Sequence, residues 1–491
     1  MKTGKTDDFQ DDEESCNGEE MFVEDKVFEK KLLRKIDLRI MPLLTLLYLL
    51  SFLDRVNIGN AKLAYIEDDL GLVGTQFNWC LSIFFFGYIL FEVPSNFVLI
   101  RAKPSIWIPF IVISWGIVMT LMAFVSDFSG LMSARFFLGA CESGLFPGAI
   151  YYITIWYKRS ETNFRIAIIT VGASFAGSFS GLLAYGIIKL DDSINLKGWQ
   201  WLFLIEGLIT IIVSMFSYFL LSNYPGKTKW LNDKEREFVV KRLEDDAGKA
   251  HAESFGKRQI YAALTDYKVY LAMLHLGVSS IPFYSFTLFI PTIVSRMGFS
   301  NVNSQLLSVP PYFCSGMATL TVAILSDRQR IRSPFIIGCS FIAIIGYILL
   351  IVPSVGIPGK YTGACIVGAG LSPAIYNFIF PLSLRSFNRL TNNIAGYAKR
   401  GIATAMVVMC ANFGGAVASQ VYRPKDLYYF FGHSISLAFL IASVCTSIIQ
   451  LIIFRTLNKK KKENPQSFLE GKTEEEIKNM GDLHPEFIYN L

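Results

Sequence analysis

The stretch Leu49–Asn60, LLSFLDRVNIGN, sets an acid and a base side by side, Asp54 and Arg55, inside an apolar run that begins near Ile40. That run is long enough to cross a bilayer, which takes about 20 apolar residues in a helix. A charge at membrane depth costs roughly 2.5–3.5 kcal/mol on insertion scales, so charges kept there face a partner or a wet cavity and mark an ion or substrate path. Neighbouring helix residues point about 100° apart, so Asp54 and Arg55 cannot simply pair with each other. One can reach another helix while the other faces a cavity. The alternative is a helix that ends near Asp54, with Arg55 snorkelling to the interface.

Working outward, the whole chain reads as membrane protein. Apolar residues make up 52% of its 491 residues, and the mean hydropathy of +0.41 is too high for an ordinary soluble protein. Spans are expected near 40–60, 77–100, 105–125, 128–157, 164–188 and 199–222, then 269–294, 304–326, 333–353, 361–387, 397–418 and 431–455. Six, a polar gap, then six predicts an all-α membrane protein of twelve transmembrane helices in two six-helix halves. The corresponding divisions are a tail at 1–39, halves at 40–222 and 269–455, a linker at 223–268 and a second tail at 456–491.

Basic residues orient the bundle. Alternate connections are rich in them (Arg101 and Lys103; Lys158, Arg159 and Arg165; Arg328, Arg330 and Arg332; Arg385, Arg389, Lys399 and Arg400), and the others are poor. The rich side, with both termini, is expected to be cytosolic. No apolar leader precedes the first span, so no signal peptide is expected. The seven cysteines in apolar runs and Cys16 in the tail show no metal spacing and read as small packing residues. In the linker, Asn232 and Glu235 read as a helix start; a solvated helix is expected there, with Phe238, Val239 and Leu243 against the bundle as the alternative. Met1–Glu20 and Glu463–Leu491 have the composition of disordered tails.

A second charged helix, ARFFLGACESGLFPG, holds Arg135 and Glu142 two turns apart on one face, roughly 10 Å along the axis. Gly139, Ala140, Ser143 and Gly144 thin it, and Pro147 favours a bend. Such a helix suits the wall of a moving cavity; the duller reading is an Arg135–carboxylate pair that only locks helices, with Asp54 the partner in either case. One acid–base pair on each of two helices points to a proton-coupled carrier of an anion. Gly177-x-x-x-Gly181 predicts close helix packing between the halves. Asn412 can hydrogen-bond a substrate or a neighbouring helix, and Tyr88 can meet a ligand ring or serve as aromatic core. His275 reads as a packing histidine, Glu92 and Glu206 as structural or interfacial.

Four motifs then resemble a known family: DRVNIGNA (Asp54–Ala61), FEVPSN (Phe91–Asn96), RFFLGACESGLFPG (Arg135–Gly148) and NNIAGYAKR (Asn392–Arg400). They are similar to the anion:cation symporters of the major facilitator superfamily, most of all the fungal branch of allantoate, nicotinate and pantothenate permeases. The resemblance implies alternating access between the halves, with Asp54 and Glu142 as proton-binding carboxylates. It implies that Arg55 clamps a substrate carboxylate, that Arg135 pairs with Asp54, and that Tyr88 and Asn412 line the substrate pocket. The superfamily's loop after the second helix is degraded here to IRAKPS (Ile100–Ser105), whereas the loop after the eighth keeps Asp327, Arg328 and Arg332, which suggests a gating latch. Pro381–Asn393 is longer and more basic than the family's usual form.

These readings lead to one expectation: a proton symporter for a small organic monocarboxylate, with nicotinate favoured among vitamin and nitrogen-source anions. Its partners are the anion, protons and the lipid bilayer, without nucleic acid or cofactor, and the expected state is a monomer. An uncoupled facilitator or exchanger is the nearest rival, and a non-transporting sensor on the same fold a more distant one. No enzyme motif is present: no GxSxG and no phosphate-cradling loop. The plasma membrane is the expected compartment, with endoplasmic reticulum or vacuole as alternatives.

Overall fold

The computed structural model describes residues 8–191, 195–248, 261, 264–329, 332–379, 397–471, 485 and 489, without the side chains of 8–26 and of a few other helix residues. The first half is built from α1 (Asp8–Leu63), α2 (Gln76–Ala102), α3 (Pro104–Met122), α4 (Phe128–Glu142), α5 (Leu145–Trp156), α6 (Arg159–Ser174), α7 (Ala176–Ile187) and α8 (Gly198–Leu220). A linker helix α9 (Asp233–Gly248) follows. The second half holds α10 (Tyr267–Arg296), α11 (Asn301–Leu307), α12 (Val309–Gln329), α13 (Ser333–Ile351), α14 (Ile357–Ile379), α15 (Tyr397–Ala418) and α16 (Phe430–Glu463). Read with α4–α5, α6–α7 and α11–α12 as broken pairs, these give the twelve expected spans of an all-α membrane protein. Nine described stretches are long and apolar enough to cross a bilayer by themselves.

Each break has a local cause. The α4–α5 span parts at Ser143 and Gly144, one turn before Pro147. A proline ring clashes with the carbonyl four residues back, here that of Ser143. Pro310 and Pro311 likewise open α12, where the missing N–H groups cost nothing. Between the halves, Gly177 meets the Tyr312 ring, and Gly181 meets Ser308 and the Gln305 carbonyl, so any side chain at either position would push α7 off the second half. The expected close packing at this pair of glycines is formed.

At the basic-rich end the structure departs from expectation. α1 starts at Asp8 rather than near Ile40, so the described part of the Met1–Glu20 tail is helical rather than disordered, and from Glu24 on its Glu, Lys and Leu residues are good helix formers. The linker helix is not solvated all round: Val239 is buried, and Phe238 meets Phe28 edge-on at 5.3 Å. Arg242 clamps both oxygens of Glu161 at 3.0 and 2.9 Å, and Lys35 bonds Glu235 at 2.7 Å. Arg165 holds Asp37 in the same bidentate way at 2.7 and 2.9 Å. Asn232 does start the helix, its N–H bonded to Glu235 at 2.9 Å. In the second tail, Tyr489 is buried and stacks on Phe454 at 5.3 Å, while Lys268 Nζ donates to its hydroxyl at 3.1 Å. The stretch Pro381–Asn393 lies outside the described residues.

Candidate functional site

α1 carries Asp54 and Arg55 through the middle of the bundle and runs on to Leu63; both residues are buried, so neither sits at a helix end. Arg55 Nη2 donates to Glu142 Oε2 at 2.9 Å, with both side chains almost fully shielded. Three aromatic rings cage the guanidinium: Phe52, Phe84 and Tyr88 lie 5.4, 5.0 and 5.2 Å from its carbon. Each such cation–π contact contributes about 0.5–2 kcal/mol, more where water is excluded. Arg55 Nε and Glu142 Oε1 are buried without hydrogen-bond partners. The pair therefore keeps a spare donor and a spare acceptor, and a guanidinium with a free edge suits a second carboxylate.

Asp54 points the other way. Trp115 Nε1 donates to its Oδ2 at 3.1 Å, and Oδ1 has no partner. Arg135, 1% exposed, lies 5.8 Å from the Phe203 ring and makes no ion pair with a described residue; its Nε and Nη2 are unbonded. The expected Asp54–Arg135 pair is thus replaced by Arg55–Glu142. The cause is rotational: successive side chains on α1 diverge by about 100°, which sends Asp54 toward α3 and α8 and Arg55 toward α4. Asp54 and Glu142 still lie close enough to Arg135 to act on it through space.

Glu206, read from the sequence as structural or interfacial, lies beside Asp54. It is 1% exposed, neither oxygen is hydrogen-bonded, and Asp54 is its charged neighbour. α3 and α8 cross here with backbones in contact: a Cβ on Gly207 would come within 2.6 Å of the Thr120 nitrogen. That crossing puts Trp115 and Glu206 together beside Asp54. Glu206 carries half of the signal, a carboxyl in an apolar run, but lacks the adjoining base that singled out Asp54.

Tyr88 and Asn412 do share a space with Arg55. They line a cavity of about 70 Å³ between the halves, with Tyr48, Tyr284 and Tyr376. Above it, toward the basic-poor end, hydrogen bonds tie the halves together. Asn78 Nδ2 donates to the carbonyls of Ser419 and Tyr422 at 2.6 and 2.9 Å, Ser82 Oγ to that of Ala416 at 2.9 Å, and Asn301 Nδ2 to that of Leu63 at 3.0 Å. His275 bonds Thr446 at 3.0 Å and packs 4.4 Å from the Phe378 ring, away from the cavity lining. Of the suggested latch, Arg332 is buried at the start of α13 and Arg328 is exposed; the Asp327 side chain lies outside the described residues.

Two helix bundles around a charged central cavity invite comparison with known carriers. The profile of the Major Facilitator Superfamily matches residues 44–419. The chain belongs to the Major Facilitator Superfamily. As a superfamily member it is a multi-pass membrane transporter and not an enzyme, and the relatives fit the fungal permease branch. It is 35% identical to the MFS-type transporter cnsO of Penicillium expansum, over 98% of this chain and 95% of that protein. It is 32% identical to the high-affinity nicotinic acid transporter of Saccharomyces cerevisiae, over 94% of this chain and 85% of that protein. Among solved structures, the superfamily fold is shared with the partially occluded, inward-open xylose transporter XylE from E. coli. The TM-score is 0.62 at 13% identity, over 83% of this chain and 96% of that one.

Proposed function

We propose that this superfamily member is a proton-coupled symporter for a small organic monocarboxylate, with nicotinate the leading substrate. The observation that carries the reading is the buried Arg55–Glu142 ion pair at the wall of an aromatic cavity. A substrate carboxylate and Glu142 compete for one guanidinium. With Glu142 ionised, Arg55 is satisfied and an anion gains little. Protonation of Glu142 leaves Arg55 a buried, uncompensated cation, which draws the anion in. The loaded site is then close to neutral and can be shut off from water as the halves rock. Release of the proton on the far side restores the pair and displaces the cargo.

Charge balance supports the same reading. At membrane depth the first half buries four carboxyls (Asp54, Glu92, Glu142 and Glu206) against two guanidiniums, Arg55 and Arg135. Fully ionised, the set would carry two uncompensated negative charges at membrane depth, where each is costly. Protons are the available counter-charge, and Asp54 with Glu206 is the place for a second one. The flat faces of Phe52, Tyr88 and Tyr284 suit an aromatic acid, and the chain's likeness to a nicotinic acid transporter favours nicotinate within that class. At about 70 Å³, the cavity is well below the 300–1,000 Å³ of ordinary ligand sites, so loading requires the halves to part.

Uptake of labelled nicotinate by proteoliposomes tests the proposal. It is expected to rise as the outside is acidified and to collapse with a protonophore. Nicotinate entry that ignores both would make the protein an uncoupled facilitator, and entry of another monocarboxylate in its place would keep the mechanism and change the cargo.

A further inference from the structure

A second pocket, of about 470 Å³, lies at the basic-rich end of the first half, where the segment after α8 passes beneath α1 and the α2–α3 turn. Arg39, Lys103, Lys227 and Lys229 line it and no lining residue is acidic. None of the four cations forms an ion pair with a described residue, in contrast to Lys35, Lys158, Arg165 and Arg242 nearby, which all do. The charges are therefore not used up in holding the fold.

Inside the pocket, polar groups wait for an acceptor. The Arg39 guanidinium sits 5.0 Å over the Trp230 ring, and its Nε is shielded from water with no hydrogen bond. Thr228 is 3% exposed, and its hydroxyl has no partner either. Buried donors are ordinarily bonded, and leaving them otherwise is unfavourable. A guanidinium fork, three ammonium groups and a hydroxyl around one space form the donor set that recognises a phosphate monoester. On the bilayer side the pocket is bordered by Phe219, which is 78% exposed. An apolar, exposed rim beside a cluster of cations matches a ligand with an acidic head and acyl chains. Basic pockets between spans on the cytoplasmic side bind lipid headgroups in this manner.

We propose that this pocket is a phosphate-monoester site, filled by the headgroup of an acidic lipid such as phosphatidic acid. The site is separate from the central cavity and shares no residue with it.

The test uses the full chain, purified in detergent and followed by native mass spectrometry and thermal unfolding. Phosphatidic acid is expected to give retained adducts and a raised unfolding temperature where phosphatidylcholine gives neither. Glycerol 3-phosphate and inorganic phosphate form the second arm. If they stabilise the protein as well as the lipid does, the phosphate site stands but its source is a soluble ester; if only the lipid acts, the source is the membrane. Lys227→Ala with Lys229→Ala, at exposed positions, is expected to weaken the effect about tenfold or more while the ligand-free protein elutes and unfolds as before. Arg39→Gln should weaken it again. Phosphatidic acid that binds no better than phosphatidylcholine, or binding indifferent to these substitutions in folded protein, would overturn the proposal.

Discussion

The two halves of the bundle are built alike and charged differently. At membrane depth the first half holds six ionisable groups: Asp54, Arg55, Glu92, Arg135, Glu142 and Glu206. At that depth the described helices of the second half hold no Asp, Glu, Lys or Arg; hydroxyls, two histidines and Asn412 take their place. Ser279 bonds Ser443 at 2.6 Å and Ser285 bonds Ser436 at 3.2 Å, and both also reach backbone carbonyls, so that half is knitted by neutral hydrogen bonds. Neutral hydrogen bonds can be made and kept without a change of protonation, whereas unbalanced buried charge must change state when water comes and goes. On the proposed mechanism the first half is where the driving proton acts, and the second is the wall it moves against.

Substitution of Arg55 should break this division most severely. Arg55→Lys keeps a positive charge but loses the planar fork and its stacking on Phe84 and Tyr88. Loss of a well-placed hydrogen bond to a buried charged group costs about 1.5–3 kcal/mol, so uptake is expected to fall about a hundredfold. A Lys variant with uptake near wild type would remove the anion clamp from the scheme.

The next effects separate the carboxyls. Glu142→Gln frees Arg55 permanently, so the variant should still bind substrate and exchange it across the membrane, but accumulation should no longer respond to outside pH. Glu206→Gln removes one of two neighbouring carboxyls and should flatten the same pH response in part, while leaving substrate affinity in place. Binding and exchange measured against accumulation at several pH values distinguish the two. A Glu206→Gln protein with an unchanged pH profile would make that carboxyl structural.

Much of this was readable from the chain itself, and the remainder was not for a definite reason. Hydropathy placed the spans because an apolar run of about 20 residues has few alternatives. Asp54, Arg55, Arg135 and Glu142 stood out because charge at depth is rare and expensive. Which of them meet could not be read, since spacing along one helix fixes a face but not the helix that the face meets. Hence the expected Asp54–Arg135 pair gave way to Arg55–Glu142, with Trp115 as the partner of Asp54. An indole in an apolar run carries no mark that its N–H serves a carboxylate. The docking of α9 was held only as the alternative and that of Tyr489 was missed: Phe238, Val239 and Tyr489 are too few apolar residues to outweigh a charged composition until their tertiary contacts are known.

In the second half the same treatment should produce stability effects and little else. His275→Ala removes the bond to Thr446 and opens a gap beside Phe378. Thr446 keeps its bond to the Ser443 carbonyl, so the lost imidazole hydrogen bond and packing cost about 1–3 kcal/mol, readable as a lower unfolding temperature. The pH profile of uptake should keep its shape. A shifted profile would place a proton-carrying group in the second half and end the division of labour between the halves.

The smallest expected effect lies outside the membrane, where the linker helix docks on the first half. Burial tends to raise the Glu235 carboxyl, but the Lys35 ammonium, bonded to both of its oxygens, and the Asn232 N–H outweigh that and hold it below the usual carboxylate value. A carboxyl depressed by folding stabilises the docked state fully above its unfolded value, near 4.3. That contribution is lost as pH falls through the lower, folded value. Docking of α9 should therefore be insensitive to pH across the physiological range and loosen only in acid. Lys35 is partly exposed, so the pair is screened and Lys35→Ala should cost about 0.5 kcal/mol. Hydrogen exchange across Asp233–Gly248 reads this directly: slightly faster in the variant near neutral pH, with the difference closing in acid as Glu235 takes up its proton. A difference that persists unchanged below the folded value would show that Lys35 holds the helix by packing its stem rather than by charge.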